Sequence, residues 1–196
     1  MFWQEVNHID QDLTLEINSW NSPITDPIWQ FFSDKYVWIP MYVAIVALIF
    51  WKLGWKKSLF VVGAIALAFG FGDTFSNIVK HAVERVRPLN DETMRLLGLH
   101  VLENGGGYSF YSAHAANSFA LAITSFIGIK KALGTTPEWL KAYGGWMIFW
   151  AFMVAVSRIF VGKHYLGDVI AGSVAGCLTG LLFGWICGCC MKKFIK

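Results

Sequence analysis

Apolar residues gather into five runs long enough to cross a bilayer: Tyr36 to Leu53, Ser58 to Val79, Ala113 to Ile129, Tyr143 to Val161 and Tyr165 to Gly188. A span needs about 20 apolar residues to cover roughly 30 Å of hydrocarbon at about 1.5 Å per residue. The 196 residues therefore hold five such helices and little else. Residues 1–35 follow another pattern. Val6, Ile9, Leu13, Ile17 and Trp20 recur at steps of three and four, which places them on one helix face, while Glu5, Asp10, Asp12 and Glu16 lie between. This predicts an amphipathic helix lying in the headgroup region or on the other helices, rather than a secretory leader. Asn21-Ser22-Pro23 ends it.

Composition agrees with the pattern: 56% hydrophobic and 15% charged residues, with mean hydropathy +0.49, exclude a water-soluble domain. The expected fold is all-α, a polytopic membrane helix bundle of about five transmembrane helices plus the N-terminal amphipathic helix, in a single domain over residues 1–196. A net charge of +3 is too mild for a nucleic-acid partner. Cys177, Cys187, Cys189 and Cys190 crowd into the last run and read as reduced thiols, with no companion ligands for a metal.

Lys52, Lys56 and Lys57, then Lys130, Lys131 and Lys141, then Lys192, Lys193 and Lys196 all fall on one side of the predicted bundle, which the positive-inside rule makes cytoplasmic. Lys80, Arg85, Arg87, Arg95, Arg158 and Lys163 fall on the other side against that bias, and a cationic cluster there reads as an anion site. The connection from 80 to 112 is the longest, and connections of that length tend to carry function. Gly172, Gly176, Gly180, Gly184 and Gly188 form a ridge in the last span suited to close helix packing.

Three stretches at the outer ends of the spans carry candidate chemistry. In the first, Lys80 and Arg87 stand seven apart, which puts both on one face of a helix that Pro88 ends, with Glu84 as a salt-bridge partner for the lysine. In the second, a glycine loop from Gly105 runs through Ser112 and Ala113 into a helix start, where free backbone N–H groups favour an anion; His114, Asn117 and Ser118 make a polar stripe beyond it. In the third, His164 and Asp168 stand four apart, so that on a helix the carboxylate can hold one ring nitrogen and leave the other free to attack. Taken singly, His114 is more readily a solvated or structural residue than a catalytic one, and the His164–Asp168 pair as readily structural as catalytic. Asp73, inside the second span and seven before Lys80, reads as a supporting hydrogen bond or ion pair to the same site.

Together, K-x6-R-P, a serine-x-histidine stretch and S-R-x5-H-x3-D, in this order, resemble the three-part signature of the type 2 phosphatidic acid phosphatase superfamily over about residues 58–190. The middle part keeps Ser112 and His114 but carries Tyr111 and Ala113 where the family has proline and glycine. The resemblance implies a metal-independent phosphatase with no cofactor, its catalytic core within 58–190. Lys80, Arg87, Ser112, the Ala113 backbone N–H and Arg158 would hold the phosphoryl oxygens. His164 would attack phosphorus to give a phosphohistidine, oriented by Asp168, and His114 would protonate the leaving oxygen and then activate water. The implied partner is a membrane lipid carrying a phosphate or diphosphate, met at the outer face of a bacterial inner membrane with the C-terminus cytoplasmic. Undecaprenyl diphosphate is the leading expectation, with lipid A, phosphatidylglycerophosphate and phosphatidate as alternatives. Vanadium-dependent haloperoxidases share the signature but are soluble. A non-catalytic protein that binds lipid phosphates is the reading from another class, supported only by Tyr111 and Ala113.

Overall fold

A computed structural model describes residues 2–195, which form helices and connecting loops with no strand. Two short helices come first, α1 (Phe2–Asn18) and α2 (Asp26–Ser33). Helix α3 (Ile39–Val83) is broken at Gly54, whose φ of 69° is open to glycine without a Cβ clash. The chain folds back there. Ser58 Oγ donates to the Ile49 carbonyl at 3.0 Å across the bend, and Tyr42 and Phe69 of the two limbs line one cavity. Residues 39–53 and 55–83 are thus the hairpin made by the first two predicted spans.

The connection after it is more ordered than its composition suggests, with a 3-10 turn at Pro88–Asn90 and the short helix α4 (Glu92–Leu96), capped by Asp91 accepting from the Thr93 N–H at 2.9 Å. Helices α5 (Ala113–Leu133), α6 (Glu138–Phe160) and α7 (Leu166–Phe194) complete the bundle. Three helical segments, the one beginning at Ile39, α6 and α7, are long and apolar enough to cross a membrane by themselves. Helix α5 is less apolar because it is the central rod, packed on α3, α6 and α7, and its Ser118, Thr124 and Ser125 are buried in protein rather than turned to lipid.

The glycine ridge works as its spacing predicts. A Cβ at Gly172 or Gly176 would strike the Ser112 and Ala116 backbones of α5, and one at Gly180 or Gly184 would strike Ile123 or Ile127. The core runs from Ile49 and Val61 of the hairpin through Leu121 and Ile129 to Leu140, Met147 and Trp150. Lys57, Lys131 and Lys192 gather round one cavity at one end of the bundle, so the three predicted basic groups do share a side; Lys196 lies outside the described residues.

Helix α1 packs on α6 and α7, but of its apolar stripe only Ile17 turns inward, against Ala155, Ile159 and Val169. Ile9, Leu13 and Trp20 are 54%, 46% and 64% exposed, whereas Gln11, Thr14 and Asn18 are buried. The buried polar face has work at helix ends: Asn18 Nδ2 donates to the Ile159 and Phe160 carbonyls at 3.0 and 3.2 Å, in the last turn of α6.

Candidate active site

The end of the bundle opposite the lysines is assembled from helix termini. Helix α6 stops in a tight turn: the Gly162 backbone, at φ 79°, lies against His100, and the Lys163 and His164 N–H groups both donate to the Arg158 carbonyl. The turn brings His164 back under the start of α7. The histidine therefore precedes the helix instead of lying on it, and the pair spans the N-terminus: Asp168 Oδ2 accepts from the Tyr165 N–H at 3.0 Å and stands 3.5 Å from His164 Nδ1. Both side chains are buried. The Ser109 hydroxyl donates to Asp168 Oδ2 and sits 3.4 Å from His164 Nδ1, so both the carboxylate and Nδ1 are engaged. The other ring nitrogen, Nε2, makes no hydrogen bond among the described residues, as a nucleophile requires. Burial pushes the His164 ring down to about 4, with the Asp168 contact working the other way, so the imidazole is neutral at ordinary pH.

Asp168 has a second anchor that the sequence did not disclose. Arg85 Nη1 donates to Asp168 Oδ1 at 2.9 Å, while its Nη2 reaches Asp10 at 2.7 Å and the Asn7 amide oxygen at 2.9 Å. The guanidinium carbon lies 3.8 Å from the Tyr165 ring centroid. The same Asp10 accepts from the Gly167 N–H at 2.7 Å, and Thr14 Oγ1 accepts from the Leu166 N–H at 2.9 Å. Helix α1 thereby supplies the caps for the first turn of α7. Gly167 permits this, since a Cβ there would come within 2.8 Å of Asp10.

The phosphate-binding candidates converge on the same place by different routes. Ser112 caps α5, its hydroxyl accepting from the Ala115 N–H at 3.5 Å, and its own N–H donates to the Asp168 carbonyl at 3.0 Å. Ala113 and His114 follow in the first turn of α5, and the charges of His164, Arg158, Lys163 and Lys80 all act on His114. Lys80 is in the last turn of α3, within the fields of Arg87, Asp168, Asp73 and Arg158. Arg87 is not on that helix. Glu84, in the left-handed region at φ 52°, ends it three residues before Arg87, whose extended backbone is what a residue preceding proline adopts, and whose Nε donates to the Gly107 carbonyl at 3.3 Å. The expected Glu84–Lys80 bridge is absent among the described residues: Glu84 accepts from the Tyr108 hydroxyl at 3.0 Å instead. Asp73 reaches the site through α5, accepting from Asn117 Nδ2 at 2.6 Å, and not through a bond to Lys80.

Arg158 is 2% exposed and held from outside the three stretches. Its Nη1 donates to the Ser33 carbonyl at 3.1 Å and to the Ser33 hydroxyl, and Glu103 lies 3.8 Å away; its Nε has no partner among the described residues. Burial raises the Glu103 carboxyl, but Lys163 at 2.5 Å, Ser33 and Arg158 outweigh it and hold Glu103 below the usual carboxylate range. Ser109, Glu103 and Ser33 thus escaped sequence reasoning, and Arg85, expected only as one cation of an anion site, is instead the anchor of Asp168. Arg85 and Ser109 lie inside the first and second stretches, but only their partners across the fold distinguish them from neighbouring residues.

Two cavities open from His114. One, of about 390 Å³, runs between the end of α2, the α3 hairpin, α5 and α6, and is lined by Trp38, Tyr42, Phe69, Asp73, Asn117 and Trp150 among others. The second, of about 510 Å³, is polar and leads past Arg158, Glu103 and Lys163.

Residues 58–192 match the family model of the PAP2 superfamily. The chain belongs to that superfamily. It is 35% identical over 92% of its length to the lipid A 4'-phosphatase of Bacteroides thetaiotaomicron, spanning 78% of that protein. It is 28% identical over 74% of its length to the undecaprenyl-diphosphatase of Sulfolobus acidocaldarius, spanning 61% of that protein. Among solved structures, the transmembrane PAP2-type phosphatidylglycerolphosphate phosphatase of Bacillus subtilis superposes with a TM-score of 0.75 at 21% identity, over 98% of this chain and 88% of that one, so the fold is shared. This PAP2 chain is accordingly a membrane enzyme, with helix α1 lying ahead of the matched region.

Proposed function

We propose that this lipid phosphatase removes a phosphate monoester from a glycolipid of the lipid A type, in preference to undecaprenyl diphosphate. The observation that carries the substrate is the 35% identity to a lipid A 4'-phosphatase over nearly the whole chain, against a more distant and shorter likeness to an undecaprenyl-diphosphatase. The sequence expectation ranked the two lipids the other way, because the motifs register a phosphate and not what carries it.

The geometry supports a two-step transfer through a phosphohistidine. His164 Nε2 attacks phosphorus as the ester P–O bond breaks, and the leaving oxygen takes a proton from His114. Asp168, fixed by Ser109, Arg85 and the Tyr165 N–H, keeps Nδ1 protonated and balances the positive charge of the phosphohistidine. Water, losing a proton to His114, then attacks the same phosphorus, releasing inorganic phosphate and the free ring. Lys80, Arg87, Arg158, the Ser112 hydroxyl and the Ala113 backbone N–H at the start of α5 would surround the phosphoryl oxygens, where preorganised positive charge does most of the catalysis. The lysine-rich end would face the cytoplasm and the active site the exterior of a bacterial inner membrane, all within one domain.

The test is phosphate release by detergent-solubilised protein from lipid A and from undecaprenyl diphosphate, with chelator present. Faster release from lipid A, lost in His164→Ala, is expected. Preference for the diphosphate would overturn the substrate, and normal turnover in the variant would overturn the mechanism.

A further inference from the structure

The hydrogen bonds of Arg158 divide its guanidinium into a held side and a free one. A guanidinium carries its N–H groups in one rigid plane, so whatever grips one nitrogen aims the others. Nη1 donates to Ser33 twice, to the carbonyl at 3.1 Å and to the hydroxyl. Nε is buried with no partner, and Nη2 makes no hydrogen bond among the described residues. Nε and Nη2 form the edge of the fork whose parallel N–H groups match two oxygens of a phosphoryl group. A buried charged donor left unpaired is costly until an acceptor arrives. Arg158 and Ser33 line the same polar cavity as His114.

Ser33 is fixed from outside residues 58–192, the region that matches the family. It ends α2, where it is buried, and its carbonyl is among those that a helix C-terminus leaves unpaired, at the negative end of the helix dipole. Helix α2 is itself clamped. The Trp29 ring stacks on Phe160, two residues beyond Arg158 on α6, with centroids 3.9 Å apart and planes within 3°. On its other side Gln30 Nε2 donates to the Leu102 carbonyl at 3.2 Å. The next residue, Glu103, stands 3.8 Å from Arg158 Nη1 but bonds Lys163 at 2.5 Å. One carboxylate thus serves two cations, and the group keeps a net positive charge for an anion.

We infer that Ser33 is a positioning residue for phosphate binding: by holding Nη1 of Arg158 it turns the Nε–Nη2 edge to the phosphoryl oxygens, which makes α2 part of the active site. The inference rests on the reading of Arg158 as a phosphate ligand and adds what aims it.

The experiment measures affinity for orthovanadate, a phosphate analogue, from the rise in Tm with vanadate concentration, which inactive variants also report. Ser33→Ala keeps the carbonyl and loses the hydroxyl, and its vanadate Kd should rise about tenfold, the worth of one hydrogen bond to a charged group. Ser33→Thr, which keeps the hydroxyl, should restore most of that affinity. In an Arg158→Ala background the Ser33→Ala change should have no further effect, because it acts only through the guanidinium; Arg158→Met, of similar length, takes the place of Arg158→Ala if that variant fails to fold. A Kd unchanged in Ser33→Ala, even with a lower Tm for the free protein, overturns the inference and leaves Ser33 a brace. A tenfold loss that persists without Arg158 also overturns it, by putting Ser33 on the anion itself. Wild-type vanadate affinity in the Arg158 variant, or no vanadate binding by the wild type, overturns instead the reading of the phosphate site, and neither outcome involves Ser33.

Discussion

Replacing Arg85 by alanine tests whether the N-terminal helix belongs to the catalytic apparatus. Arg85 bridges Asp168 at 2.9 Å and Asp10 at 2.7 Å, with side-chain exposures of 19%, 0% and 14% for the three groups. Removing one partner of a fully buried pair costs about 3–5 kcal/mol. Arg85 keeps some solvent, and Asp168 retains the Tyr165 N–H and the Ser109 hydroxyl, so the loss is about 2 kcal/mol once those remaining hydrogen bonds are counted. For a chain of this length that is a fall in Tm of roughly 4–8 °C. The carboxylate behind His164 also loses one of the contacts that aim it, and a penalty of about 1.4 kcal/mol in the transition state lowers kcat about tenfold. KM should change little, because Arg85 touches Asp168, Asp10 and Asn7 and not the cavities beside His114. Arg85→Lys keeps the charge but not the fork that spans two carboxylates, and should recover only part of the stability. The assay is thermal unfolding in detergent alongside steady-state phosphate release. An Arg85→Ala protein with unchanged Tm and unchanged kcat would refute the bridge, and a rise in KM alone would place Arg85 on the substrate.

Three other outcomes follow from the geometry. Because burial holds His164 near 4, below its ordinary 6.5, the proposed nucleophile is unprotonated down to that pH, and the acid limb of kcat/KM should lie near 4; an acid limb near 6.5 would contradict the burial. The same displacement has a stability consequence of definite sign: the unfolded chain takes up the proton first, so unfolding becomes easier as pH falls from about 6.5 to about 4 and levels off below, measurable as Tm against pH. Gly176→Ala forces a Cβ onto the Ala116 backbone, which cannot yield as a side chain would, and should cost about 1–3 kcal/mol, whereas Gly63→Ala meets nothing within 4 Å and should not destabilise; equal Tm values for the two would refute the close approach of α5 and α7.

The spans were legible because a bilayer demands apolar length, and the motif residues because their order places them at one end. What stayed hidden was contact between distant segments and the direction in which helices face. Arg85 resembles its neighbours until Asp10 and Asp168, 75 and 83 positions away, arrive beside it. Lys80 and Arg87 have helical spacing, yet the helix ends at Val83, and only the restriction that Pro88 places on Arg87 hinted at it. Helix α1 shows the deeper reason. Its apolar stripe was read correctly, but the rule that an apolar stripe faces inward assumes water outside. In a membrane the lipid takes the apolar face, and the second stripe, Asn7, Gln11, Thr14 and Asn18, at steps of three and four, is the one that docks.

That inverted docking bears on where a phosphate can bind. Helix N-termini attract anions through unpaired N–H groups, and two helices, α5 and α7, begin at this site. The first N–H groups of α7 are already taken, Leu166 by Thr14 and Gly167 by Asp10, both from α1. The Ala113 and His114 N–H groups at the start of α5 have no acceptor among the described residues. By filling one helix end, α1 leaves the other free, next to His114, where the proposed mechanism puts the phosphoryl group. Asp10→Ala should therefore do more than loosen α7: it would open a competing anion site on the wrong side of Asp168, and inhibition by added inorganic phosphate should strengthen in that variant. Unchanged phosphate inhibition with a lowered Tm would show that α1 is only a brace.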